Sequence, residues 1–246
     1  MDIPALTDRQ IQILKCVIDE HIKTGEAVGS DTLDKKYNLG VSPATIRNEM
    51  VILTQQGFLE QPHTSSGRIP TPMALKFFIK QLMHEKDLGV SEEVDVKAKI
   101  WDYRDRIDRL LHESTKVLSH KTNSIALALT DQGDVYHAGY SNILDLPEFF
   151  DIDVTKTVLS LLDDLDTMQK ILNRAYGEEA IHVLIGDDFD IEFLYSCGMV
   201  YTDINLGSYG GGRIGVLGPS RLDYPYIIPV VRYFGKLINE ITKNWE

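Results

Sequence analysis

Apolar residues recur every three or four positions at the start of the chain, where Ile11, Leu14, Ile18 and Ile22 mark one side of a helix. Thr7, with Gln10 three residues on, is a capping box, and Gly25 supplies a stop. A second helix is predicted over 30–38, with Leu33 and Tyr37 one turn apart. Gly40 turns the chain, and Ser42 caps a third helix with Pro43 at its first position, where a missing N–H costs no bond. Ile46, Met50 and Leu53 form the buried stripe of that helix, and Gly57 ends it. Two short extended stretches, 58–61 and 68–70, then flank a small polar loop that contains a glycine, which reads as a β-hairpin. Thr71 and Pro72 open a fourth helix with Ala74, Phe77, Phe78, Leu82 and Met83 as its apolar content.

Beyond it, residues 85–91 are polar and read as a linker, and Ile100, Tyr103, Ile107, Leu110, Ser114 and Val117 predict one helix over 94–118. Residues 124–130, SIALALT, read as a buried strand, paired across Gly133 with 134–140. Helices are expected over 154–165 and 168–176, strands over 181–185, 199–206 and 212–217, and a long helix over 223–245. The order β-β-α-α-β-β-β-α implies an antiparallel sheet with helices gathered to one side, an α+β layout.

The outer side of the third helix changes the picture from fold to chemistry. Opposite the stripe lie Ala44, Asn48 and Val51, with Thr45 and Arg47 on the flanks. Arginine can bond guanine bidentately, asparagine can bond adenine, and Ala, Thr or Val can touch a thymine methyl. Small residues near Ser42 let backbone amides approach phosphates. A hairpin directly after such a helix is a wing, and its His63, Thr64, Ser65, Ser66 and Arg68 suit a phosphate backbone or a minor groove. Three helices and a wing form a compact reader of duplex DNA. The bland reading of the same residues is a solvated helix face beside a polar turn.

Charge first argues against nucleic acid, because the 246 residues carry a net −12. The distribution reverses that inference. Residues 1–83 hold nine Lys/Arg and nine Asp/Glu, so the whole excess of acid lies in 84–246. The first part can place a few cations on one face, Lys35 and Lys36 among them, while the second must do something other than meet phosphate. Cys16 and Cys197 match no metal or redox spacing, no run reaches the ~18 apolar residues of a membrane span, and the first residues, MDIPALTDRQ, lack a basic n-region and an apolar h-region. A cytoplasmic setting is the expectation.

Catalysis finds no constellation. The stretch 208–213, SYGGGR, lacks the Gly-Lys-Ser/Thr and the following helix of a phosphate loop, and reads as a hairpin turn. The pairs Asp163-Asp164 and Asp187-Asp188 have no histidine nearby to complete a metal site, and Cys197 reads as a packed thiol. No catalytic residue, metal or cofactor is expected, and the chain is read as a non-enzyme.

Residues 6–50, LTDRQIQILKCVIDEHIKTGEAVGSDTLDKKYNLGVSPATIRNEM, followed by GFLEQPHTSSGRIPT, closely resemble the N-terminal domain of the bacterial heat-inducible transcription repressor (HrcA) family. SNIL and LPEF within 141–149, and GGGRIGVLGPSRLDYPYIIPVVRYFGKLINEI over 210–241, resemble that family's GAF-like domain. The resemblance implies a winged helix-turn-helix domain over 1–84, a linker and connecting helix over 85–120, and a GAF-like α+β regulatory domain over 121–246. It implies a repressor of chaperone operons that binds an inverted repeat in double-stranded DNA as a homodimer, with the chaperonin as co-repressor and heat as the signal. The recognition helix would then be 42–51 and the wing 63–68. This chain departs from the pattern at 131–133, where a short turn replaces the usual inserted dimerising domain. Dimer contacts would fall instead to the helix over 94–118 or to the GAF-like sheet. Two alternatives stand beside this reading: a regulator whose GAF-like domain binds a small effector, and an acidic interaction protein.

Overall fold

The structure, a computed structural model, describes residues 5–63, 66–173 and 180–243. The chain divides into two compact units, 1–84 and 85–246.

In the first unit, α1 (Asp8–Thr24) starts at the expected capping box: Thr7 Oγ1 accepts from Gln10 N at 3.3 Å, and Gln10 Oε1 accepts from Thr7 N at 3.0 Å. Its buried side is centred on Ile13, Leu14, Val17 and Ile18, so the stripe is rotated from the expected one and Ile11 and Ile22 are only half-buried. α2 (Ser30–Lys36) ends two residues before the expected 38. α3 (Pro43–Gln55) is capped by Ser42 and buries Ile46, Met50 and Leu53. Glu49, on its near flank, accepts from Gln10 Nε2 at 3.1 Å and faces Arg9 at 3.7 Å, which ties α3 to α1.

β1 (Leu59–Glu60) and β2 (Ile69–Pro70) pair antiparallel, and Arg68 adds a bridge to Val28, with N–H···O bonds of 2.8 Å in both directions. Gly67 is where that bridge needs a glycine, because a Cβ there would stand 2.4 Å from the Val28 carbonyl. The fourth helix is not continuous. α4 (Pro72–Phe77) widens into a π-turn over Phe78–Leu82, which Met83 N closes on Phe78 O at 2.9 Å.

The second unit corrects three expectations. First, the polar stretch 85–88 is anchored. Pro229 lies inside α10 (Tyr224–Thr242) and cannot donate to the Pro225 carbonyl one turn back. Lys86 N supplies that bond at 2.8 Å, and Glu85 holds Arg232 with two bonds of 2.5 and 2.8 Å. Second, the helix over 94–118 is two helices, α5 (Val90–Trp101) and α6 (Ile107–Thr122). α5 stops at Trp101 and the chain turns before Ile107, with Arg104 closing the end of α5 by its N–H and its guanidinium on the Trp101 carbonyl. α5 then lies back along α6, where Lys121 Nζ reaches Asp95 at 3.3 Å. Periodicity alone carried across the break because Ile100 and Leu110 are both fully buried.

Third, helices cover both faces of the sheet. β3 (Ile125–Thr130), β4 (Val135–Ala138), β5 (His182–Ile185), β6 (Cys197–Asn205) and β7 (Gly211–Pro219) form one antiparallel sheet in the order β4-β3-β7-β6-β5. Short turns of helix, α7 (Ser141–Leu144) and Pro147–Phe149, lead into α8 (Ile152–Asp163) and α9 (Leu165–Leu172). Ile125, Leu127, Leu129, Met199 and Tyr201 pack with Val158, Leu161, Met168 and Ile171 from α8 and α9. The alternate residues Ala126, Ala128, Val200 and Val216 are buried too, on the side of α6 and α10. α10 comes so near β6 that a Cβ on Gly235 would meet Thr202 Cγ2 at 2.6 Å. A strand buried along its whole length, as 125–130 is, needs cover on both faces. The expected strand 212–217 and turn 208–213 fall at β7 and at the β6–β7 connection.

Candidate nucleic-acid interface

α3 presents two kinds of outward residue. Ala44, Arg47, Asn48 and Val51 are exposed, and no hydrogen bond or ion pair holds Arg47 or Asn48 among the described residues. The buried stripe of Ile46, Met50 and Leu53 fixes the helix from beneath, so these side chains project from a rigid support. Ser42 and Thr45 belong to the other kind. Ser42 Oγ accepts from Thr45 N at 3.2 Å and lies 3.0 Å from Thr45 Oγ1, so both hydroxyls are engaged in capping the helix.

The hairpin holds its arginine, Arg68, at the base, at the start of the extended stretch 68–70. Its backbone is bridged to Val28 at the base of the hairpin, and its Nε donates to Thr54 Oγ1 of α3 at 3.0 Å. His63 is exposed, whereas the Ser66 hydroxyl is spent within the loop, accepting from His63 N at 3.0 Å and donating to His63 O at 2.6 Å. Thr64 and Ser65 lie outside the described residues.

Between α3, the start of α2 and the hairpin runs a groove of about 530 Å³ into which both arginines look. Gly29, Ser30, Asp31, Val51, Gln61 and Gly67 also line it. Sequence reasoning missed the wall made by 28–31 and the part played by Gly67. The signal was there in Gly67 itself, a glycine one residue before an extended stretch, where close approach of another backbone is a standard reason for having no Cβ.

Electrostatics separates the cations of this unit. Lys36, expected as a phosphate contact, is instead bonded to Glu20, a buried carboxylate that also accepts from Tyr37 Oη at 3.2 Å. Lys36 holds the Glu20 carboxyl below the ordinary value, and burial beside Glu20 pushes the Tyr37 hydroxyl up to about 12. Lys35 is exposed. In the second unit, burial raises the Cys197 thiol to about 12, which removes it as a nucleophile at neutral pH. Among the described residues no group of three or more His, Cys, Asp or Glu is placed to hold a metal, and no helix is long and apolar enough to cross a membrane.

A small helical unit with an exposed Arg-Asn face, joined to an antiparallel-sheet unit, defines a two-part α+β protein. The model of the HrcA protein C terminal domain matches residues 50–228, and the chain belongs to that family. Two similar proteins are each called heat-inducible transcription repressor HrcA. That of Clostridioides difficile (strain 630) is 26% identical, with 95% of this chain and 99% of the relative covered. That of Desulforudis audaxviator (strain MP104C) is 28% identical, with 97% and 98% covered. The first alignment runs over 335 positions, more than the 246 residues of this chain, so that relative carries sequence with no counterpart here. A crystal structure of a hypothetical protein shares the fold, with a TM-score of 0.73 at 17% identity over 97% of this chain and 98% of that one.

Proposed function

We propose that the chain is a DNA-binding transcriptional repressor of heat-inducible chaperone operons. Its first unit is a winged-helix reader with α3 in the major groove, and its second a GAF-like regulatory module. The observation that carries this reading is the pair Arg47 and Asn48, exposed and without protein partners on the outer side of a helix anchored from below. Arginine and asparagine are the side chains with the best bidentate geometry for guanine and adenine edges. The names of the related repressors support the same reading.

In this reading 1–84 reads DNA and 85–246 regulates, with α5 and α6 of the expected connector 85–120 packed within that second unit. Two copies meet an inverted repeat, since a two-fold operator calls for a two-fold protein. The apolar side available for pairing is on α5, where Val90, Val94 and Trp101 recur along one stripe and stand 77%, 62% and 37% exposed. The chaperonin, as co-repressor, is the partner that the family resemblance assigns to the regulatory half, and the setting is the cytoplasm.

The test is selection of duplexes from a random-sequence pool by the full chain, followed by titration at several salt concentrations. Enriched inverted repeats, two chains per site by light scattering, and an affinity that falls steeply with salt are expected. A pool without enrichment, or binding indifferent to salt, would overturn the proposal.

A further inference from the structure

We propose that Thr54 is a positioning residue for Arg68, and that the pair turns the hairpin base into a fixed phosphate-binding station beside the recognition helix. This rests on the DNA-binding reading above and adds to it how the arginine is aimed. A guanidinium has five N–H donors in a planar fork. Here Nε is spent on Thr54 Oγ1 at 3.0 Å, and the Thr54 hydroxyl in turn donates to the Met50 carbonyl at 2.8 Å. That order fixes the hydroxyl's direction, with its proton on Met50 and its lone pair toward Arg68. The four N–H bonds on the two Nη atoms are left to the groove.

Both ends of Arg68 are therefore held, the backbone by the double bond to Val28 and the head by α3. Thr54 lies seven residues after Arg47, two turns along the same flank of α3, so their backbone positions stand about 10 Å apart along the helix axis, and Arg47 and Arg68 line one groove. Among the described residues Asp31 is the single acid lining that groove, against two arginines, so the balance there is cationic in a unit that is neutral as a whole. A side chain ordered before binding loses less freedom on meeting phosphate, which is why the holder matters as well as the charge. The ligand class is the phosphodiester of duplex DNA, which needs no particular base at this station.

The experiment measures binding of the full chain to a random-sequence duplex of about 30 base pairs across a salt series. Arg68→Ala is expected to weaken binding and to reduce the slope of log affinity against log salt by about one, the signature of a lost phosphate contact. Thr54→Val keeps the charge and the shape but not the hydroxyl. It should weaken binding roughly tenfold with the slope unchanged, and Thr54→Ser should restore it. Melting curves, recorded by circular dichroism, keep each titration below the unfolding range of its variant. Thr54→Val binding like the parent chain, or Arg68→Ala retaining the full slope, would overturn this assignment while leaving the DNA-binding reading intact. A parent chain that shows no salt-dependent duplex binding would overturn both.

Discussion

The arginines of the two units live under different conditions. In the second unit Arg213 sits on Asp203 at 3.2 Å, Arg221 on Glu148 with bonds of 2.5 and 3.1 Å, and Arg232 on Glu85. In the first, Arg47 has no protein partner among the described residues, and Arg68 is bound through Nε alone to a neutral hydroxyl. The acidic unit, which carries the whole net charge, spends Arg213, Arg221 and Arg232 on its own carboxylates and leaves Arg106 and Arg109 exposed, whereas the neutral unit turns two arginines toward one groove. Net charge by itself would have pointed away from DNA; the two arginines that share one groove argue the other way.

The comparison can be broken most sharply at Arg221. Its side chain and that of Glu148 are 11% and 16% exposed, so the pair is nearly buried. Arg221→Met strands the Glu148 carboxylate, and removing one partner of a buried pair costs about 3–5 kcal/mol. The urea midpoint should fall accordingly, with duplex affinity unchanged where the variant is folded. A variant as stable as the parent would show that the pair is no structural tie.

Arg47→Ala and Asn48→Ala should do the reverse. With no protein partner to lose, each should keep stability within ~0.5 kcal/mol. Affinity for the selected inverted repeat should fall by about 1–3 kcal/mol per lost bidentate contact, with specificity relaxed at one base pair in each half-site. Equal affinity in either variant removes that residue from the base-reading set, and a large stability loss in Arg47→Ala would erase the contrast with Arg221.

How much of this was legible beforehand depends on the range of the interaction. Caps and stripes are local, so Thr7, Gln10, Ser42, Pro43 and the Ile46–Met50–Leu53 stripe marked α1 and α3 from the sequence. The outward direction of Arg47 and Asn48 followed from the same periodicity. Non-local partners were not legible. Nothing near Arg68 announces Val28 or Thr54, and nothing near Lys36 announces Glu20, sixteen residues earlier. The second helical cover of the sheet was hidden for a related reason: an alternation of Ala with Ile and Leu in 125–130 is apolar on both faces, and only the tertiary fold shows what meets each one. The anchoring of 85–88 needed both a polar stretch and a proline some 140 residues later.

The smallest expected effect tests the committed cation of the first unit. Glu20 is buried, and Lys36 is the main reason its pKa is lowered, opposed by desolvation and helped by Tyr37. A carboxylate whose folded pKa lies below the ordinary 4.5 adds stability that is complete above 4.5 and lost as pH falls through the folded value. Glu20→Gln should therefore lower protection of buried α1 amides such as Leu14 in hydrogen exchange at neutral pH. The loss should be no more than about 1 kcal/mol, since the Lys36 end of the pair is half in water. As pH falls through the lowered folded value the variant and the parent should converge, because the parent then loses the same charge. Parallel pH profiles would mean that Glu20 contributes by packing alone, and Lys36 would then return to the set of cations free to meet DNA.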